Sequence, residues 1–189
     1  MSTKISICNR ALRLLGGQRI AATTEDNEAA RILTDVWDDI LAEVMAAYPW
    51  NFAIKRVALV LLVATPTFGY TNAFQLPVGC LRVLNTENTE DSNDEEWKIE
   101  ADTLVTDEAT CKIRYIALIT DVAKYSPGFC SAMAIRLASE IAFPLTNNQN
   151  MAIEKFKEYE LKIKFMTSLE GKAGSREAIE DSSWIDERS

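Results

Sequence analysis

The chain has no histidine among its 189 residues. Histidine is the commonest general base and a frequent metal ligand, so its absence disfavours a hydrolase triad and removes one usual component of a zinc site. The four cysteines are widely spaced and form no CxxC pair. We therefore expect no metal or other cofactor, and we predict that the thiols are reduced core residues. These are Cys8, Cys80, Cys111 and Cys130.

Basic residues and long apolar runs are also scarce. Lys and Arg together number 20 against 28 Asp and Glu, which gives a formal net charge of −8. Proteins that bind nucleic acid tightly neutralise phosphates with Lys and Arg, so tight binding of DNA is not expected. No uninterrupted apolar run approaches the roughly 20 residues that span a bilayer, and residues 1–7 alternate polar and apolar side chains. We expect a soluble protein, made in a cytosol, without a signal peptide or a membrane partner.

Apolar residues make up 48% of the chain, which is enough for one core of ordinary size. Their helical spacing predicts four helices, over residues 3–15, 26–47, 127–143 and 149–170. The second helix is capped by Thr24 or Asp26, and Pro144 ends the third. The third helix is apolar almost all the way round, so we expect it to be central and buried.

Short β-prone runs between the second and third helices predict a small, mainly antiparallel sheet. They cover residues 52–63, 70–75, 81–85, 97–99, 103–105 and 112–119. From Glu87 to Glu96 there are six acids and no base, which predicts a solvated hairpin loop. The role of this acidic loop is left open.

The predicted fold class is α+β, in three parts. A four-helix bundle takes residues 1–48 and 127–170, a small β-rich domain is inserted at residues 49–126, and an extended C-terminal arm takes residues 171–189. The arm is polar and cannot bury enough surface to fold by itself. Its one aromatic residue, Trp184, is followed by Ile185, and this apolar pair suits docking on a neighbouring subunit. A terminus without a partner is the alternative.

Further contact candidates lie in the helices and at the start of the sheet. The fourth helix carries a second apolar stripe, which predicts either a subunit contact or further core burial: Leu161, Phe165 and Leu169. Arg10 and Arg13 lie one turn apart on the first helix and could form a basic face with Arg56, although scattered surface charge also explains them.

Three further candidates stand where the second helix gives way to the sheet. Trp50 either anchors a partner or bridges the helices and the sheet as a core aromatic. Lys55 and Arg56 could contact an acidic surface, and charges of this kind also protect a strand edge.

Several blocks in order give the chain a resemblance to a known family. They are NRALRLLG at residues 9–16, YPWNFAIKR at 48–56, FQLP at 74–77, CLRVL at 80–84, IRYI at 113–116, PLT at 144–146 and SSWID at 182–186. With Trp97 and the helix at residues 129–145, this series resembles the tail tubular protein A family of short-tailed phages. The resemblance spans nearly the whole chain, whereas the acidic insertion at residues 87–96 is not a family feature.

The resemblance implies a structural virion protein at the head–tail junction, not an enzyme. It implies a homo-oligomeric adaptor ring, usually of twelve copies, that sits beneath the portal protein. The helical part would form the ring body, and the β-rich part would face the tail nozzle or another tail protein. DNA would pass through the lumen without sequence-specific binding.

Two other functions fit parts of the sequence. A head-completion or stopper connector of a long-tailed phage has similar helical content, although the central β-rich segment and the Trp-containing arm favour the tubular family. A virion-associated cell-wall hydrolase would need two carboxylates about 5 to 10 Å apart across a cleft. Adjacent acids such as Asp38 and Asp39 diverge on a helix and do not supply that geometry.

Overall fold

The computed structural model describes residues 3–87 and 97–174, with side chains described as far as residue 168. The fold is α+β, with four helices and two small antiparallel sheets inserted between the second and third helices. The helices are α1 (Lys4–Leu14), α2 (Glu28–Ala47), α3 (Pro127–Thr146) and α4 (Gln149–Gly174). The strands are β1 (Ile54–Ala58), β2 (Val60–Leu61), β3 (Asn72–Gln75), β4 (Cys80–Thr86), β5 (Trp97–Glu100), β6 (Thr103–Thr106) and β7 (Lys112–Ala117).

Side-chain caps fix where the first two helices begin. The hydroxyl of Thr3 accepts a hydrogen bond from the Ser6 backbone N–H, and the hydroxyl of Ser6 accepts one from the Thr3 backbone N–H, so α1 starts with a capping box. The cap of α2 is Asn27, whose side-chain oxygen accepts from the Ala30 N–H at 2.8 Å. The prediction of Thr24 or Asp26 as this cap was wrong, because only Asn27 stands directly before the first helical turn.

The end of α3 also differs from the prediction, since the helix continues through Pro144 to Thr146. A proline inside a helix leaves the carbonyl four residues earlier without its N–H donor. Here that carbonyl belongs to Glu140, so the helix lacks one hydrogen bond close to its C-terminal end and still completes its last turn. The helix closes at Asn147, which has a left-handed φ of 52° and donates its N–H to the Phe143 carbonyl at 2.8 Å.

The helix α3 is the centre of the helical part, as predicted from its composition. It packs against α1, α2 and α4, and most of its side chains are buried, including Phe129, Met133, Leu137 and Ile141 at 0% exposure. By length and composition it is the one helix of the described residues that could cross a membrane. However, 67% of that stretch is buried inside the fold, so the core accounts for its apolar character.

The β-prone region forms two sheets, and the prediction of a single sheet was wrong. One sheet has the order β1-β7-β4, and the other has the order β2-β3-β6-β5; every strand pair is antiparallel. The predicted run at residues 52–63 divides at Leu59, because β1 pairs with β7 whereas β2 pairs with β3. The chain therefore passes from one sheet to the other in a single residue.

An aromatic cluster joins the helices to the first sheet. The ring of Phe129, at the start of α3, lies 5.2 Å from those of Trp50 and Phe52 and 4.7 Å from that of Tyr125, mostly edge to face. Edge-to-face pairs add to the free energy of burial beyond the area they cover. At the same junction the Ala117 N–H donates to the Ala53 carbonyl at 2.8 Å. The helical part and the first sheet thus share one core.

The four thiols are free, and Cys8, Cys111 and Cys130 are buried while Cys80 is half-buried. Burial raises the pKa of Cys8 to about 11 and that of Cys111 to about 11, and it raises the pKa of Cys80 as well. Because the thiolate is the reactive form, these thiols should be slow to react.

We therefore expect an aromatic disulfide reagent at pH 8 to label the folded chain slowly, beginning at Cys80, and to label all four cysteines at once after unfolding in urea. The measurement is the time course of labelling, with each site identified by mass spectrometry. Rapid labelling of Cys8 or Cys111 in the folded chain would contradict the burial described here.

Candidate interaction surface

Three of the predicted contact residues converge on one groove. Arg10, Leu161 and Phe165 were singled out for separate reasons, yet they line the same groove of about 360 Å³. Its walls come from three helices: Arg10 and Leu14 from α1, Ser131 and Ile135 from α3, and Leu161 and Phe165 from α4. We call this the α1–α4 groove.

The groove has an apolar lining that the described chain leaves uncovered. Leu161 is 67% exposed and Phe165 is 55% exposed, whereas Ile135 beneath them is buried at 6%. Of the two interpretations of the second stripe on α4, core burial therefore does not apply to Leu161 and Phe165. The side chain of Leu169, the third member of the stripe, lies outside the described residues.

Positive charge lines the edge of this groove. The guanidinium of Arg10 donates to the hydroxyl of Ser131 at 2.9 Å, and the ammonium of Lys162 lies 6.0 Å from the centre of the Phe165 ring. The acid in the groove, Glu158, accepts a hydrogen bond from Lys155 at 2.8 Å. Among the described residues Arg10 and Lys162 form no ion pair. The groove thus combines apolar walls with a cationic edge.

The remaining basic candidates do not join this groove. Arg56 lies opposite Arg114 in the β1–β7 register, and both line a shallow cleft on the first sheet. Lys55 lies opposite Tyr115 on the other face, since successive strand residues alternate. Arg13 is exposed and lines neither surface. The structure therefore does not unite Arg10, Arg13 and Arg56 in one basic face.

Trp50 belongs to the core. It is 2% exposed, its indole N–H donates to the Val44 carbonyl at 2.9 Å, and its ring packs against Tyr48 and Phe129. With its N–H satisfied and its ring enclosed, it has no surface to offer a partner. The contact interpretation of Trp50 is corrected accordingly, and its role is the alternative one of bridging helices and sheet.

One apolar surface was not predicted from the sequence. At the end of the second sheet Val60 is 71% exposed, Val63 is 102% exposed and Phe68 is 89% exposed. The sequence held a signal for Phe68 alone, because this aromatic residue stands between Pro66 and Gly69, outside the predicted β-prone runs. This second apolar surface lies in and beside β2, at the edge of its sheet.

Two predicted features lie outside the described residues. These are Trp184 with Ile185 in the C-terminal segment, and the acidic segment after Glu87. The first residues of the predicted arm are described, and they extend α4 to Gly174 instead of leaving it at residue 170.

In the described part of the chain, no three His, Cys, Asp or Glu side chains are grouped closely enough to hold a metal ion. A scan against protein-family models finds no match for this chain, and no curated protein matches it.

Proposed function

We propose that the chain is a structural, non-enzymatic subunit of a ring-shaped head-to-tail adaptor, similar to tail tubular protein A, that joins the portal to the tail and forms part of the DNA channel. The observation that carries an assembly role is the α1–α4 groove, where Leu161 and Phe165 remain more than half exposed beside Arg10 and Lys162, two cations that form no ion pair within residues 3–87 and 97–168. The kind of assembly, an adaptor ring, is inferred from the order of the sequence blocks, which resembles that of the tail tubular protein A family.

In this proposal the helices form the ring body as a four-helix bundle at residues 1–48 and 127–170. The β-rich domain at residues 49–126 faces the tail nozzle or another tail protein, and the residues that follow the end of α4 at Gly174 serve as an extended arm. The shared aromatic core around Phe129 supports this arrangement, because a ring that bears load between head and tail needs its two parts held at a fixed angle.

Closing a ring by rotation requires each subunit to present two different surfaces that fit one another. The chain offers several candidates: the α1–α4 groove, the apolar end of the second sheet near Phe68, and the segment that carries Trp184. Exposed apolar surface of this kind in a protein of ordinary size is typical of contact sites. This supports an oligomer.

The net charge of −8 fits a channel wall that does not hold DNA. Where acidic side chains line the lumen, they repel the phosphate backbone and let it slide during packaging and ejection. A lumen lined by Arg and Lys would contradict this part of the proposal.

The test is native mass spectrometry of the chain mixed with the portal protein of the phage that encodes it. We expect a complex in which the portal ring gains about twelve copies of the 21.1 kDa chain. Assembly of the chain only after the portal is added also agrees with the proposal. A chain that stays monomeric and separate from the portal would reject it.

A further inference from the structure

Resting on the proposed ring, we infer that the α1–α4 groove receives the C-terminal segment of the neighbouring subunit, with Trp184 and Ile185 placed between Leu161 and Phe165. The occupant is thus residues 175–189 of a second copy of this chain.

The apolar character of the two partners matches. The groove presents Leu161 and Phe165 above the buried Ile135, with Leu14 at its side. After residue 174 the chain contains one aromatic residue, Trp184, and it is followed directly by Ile185. A Trp needs a concave apolar site to bury its ring, and Trp residues in such sites dominate the free energy of many interfaces.

The charges of the two partners are complementary around the apolar centre. The groove carries Arg10 and Lys162 without ion-pair partners among the described residues. In the segment the apolar pair is flanked by Glu180 and Asp181 on one side and by Asp186 and Glu187 on the other. Acids on both flanks would meet the cationic edge when the apolar pair occupies the centre, and this fixes the register of docking.

The segment, when extended, is longer than the part of α4 that runs from the groove to the end of the helix. The nine residues from 175 to 183 can span about 30 Å when extended, at roughly 3.3–3.6 Å per residue. That exceeds the rise of about 20 Å along α4 from Leu161 to its end at Gly174. The groove of one subunit and the C-terminal segment of the next would form the head-to-tail pair of unlike surfaces that ring closure requires.

The groove is tested first with a peptide, independently of ring formation. The receptor is the full chain with Trp184→Ala and Ile185→Ala, so that its own segment does not compete, and the ligand is a synthetic peptide of residues 175–189. Calorimetry should show one peptide bound per chain, and raising the salt concentration should weaken binding. A peptide with alanine in place of Trp184 should bind at least about tenfold more weakly. Absence of binding would overturn the inference.

Two variants of α4 locate the binding site on the receptor. Leu161→Asp places a charge in the groove and should weaken peptide binding about tenfold or more. Ile153→Asp is the matched control, since Ile153 is 45% exposed on the same helix and lines a different cleft, beside Phe156. Circular dichroism checks that both variants are folded. Equal effects of the two changes, or no effect of Leu161→Asp, would overturn the assignment of the groove.

A crosslink then identifies whose segment occupies the groove. A benzophenone amino acid at position 184 of the full chain is photolysed on the assembled portal complex. The expected product is a covalent dimer of this chain with the attachment near Leu161 or Phe165. Attachment within one chain, or to the portal, would overturn the neighbouring subunit as the occupant.

The two proposals fail separately. If the chain forms rings on the portal but the peptide of residues 175–189 does not bind the α1–α4 groove, the groove assignment is rejected and the adaptor role is retained. A peptide that binds the groove of a chain with no affinity for the portal would reject the adaptor role instead.

Discussion

Replacing Phe129 with alanine should lower the free energy of unfolding by about 3–5 kcal/mol, the range typical of a large aromatic removed from a packed core. Phe129 is 0% exposed, and its ring touches Trp50 and Phe52 from the junction as well as Tyr125. The substitution removes contacts between α3 and the segments that connect the helices to the first sheet, and the surrounding rings are too rigid to fill the cavity.

Urea denaturation monitored by circular dichroism measures this effect. The matched control is Phe143→Ala, because Phe143 lies on the same helix and is 48% exposed. Its loss should change the free energy of unfolding by less than about 1 kcal/mol. Similar values for the two variants would mean that the aromatic cluster is not the centre of the core.

Replacing Arg136 with alanine should lower the free energy of unfolding by about 2–3 kcal/mol. Its guanidinium donates to both carboxylate oxygens of Glu43 on α2, at 2.7 and 2.9 Å, and to Glu140 at 2.7 Å. It also lies 5.4 Å from the centre of the Phe156 ring on α4. The Arg136 side chain on α3 therefore also contacts α2 and α4.

The surroundings of Arg136 explain why its ion pairs should contribute to the free energy of unfolding, although most exposed ion pairs contribute little. Its side chain is 13% exposed, while those of Glu43 and Glu140 are 42% and 45% exposed and can return to water when the arginine is lost. Burial alone would lower the pKa of the guanidinium, but the hydrogen bonds to Glu43 and Glu140 outweigh it and raise that pKa. The charge is therefore kept.

The comparison for Arg136 is Arg31→Ala, which breaks an ion pair with Asp26 whose side chains are 65% and 91% exposed. Exposed pairs contribute little, so this variant should stay within about 0.5 kcal/mol of the parent chain. Urea denaturation at low and high salt measures the free energy of unfolding of both variants. An Arg136→Ala variant as stable as Arg31→Ala would contradict the bridging role of Arg136.

Local patterns were sufficient to predict the elements of this fold. The apolar composition of α3 predicted its central position, and each predicted β-prone run overlaps at least one of the seven strands. Partners in a sheet, by contrast, are set by distant residues. Nothing near Leu59 in the sequence shows that β1 pairs with residues 112–116 while β2 pairs with residues 74–75. The division into two sheets was therefore not predictable from local patterns.

The groove was predictable only in part, for the same reason. Helical periodicity separated Leu161 and Phe165 from the face of α4 that packs inward, and the structure leaves both exposed. That Arg10 joins them depends on the packing of α1 and α4 side by side on α3, which periodicity within one helix does not specify. Trp50 shows the converse, because its residue type suits an interface and only its packing shows that it belongs to the core.

Electron microscopy of the chain bound to the portal tests the central claim most directly. The account predicts a closed ring of this chain on the portal axis, with an open channel through its centre and each subunit touching the next through the α1–α4 groove. A chain found as single copies on the side of the portal, or absent from the purified complex, would contradict it.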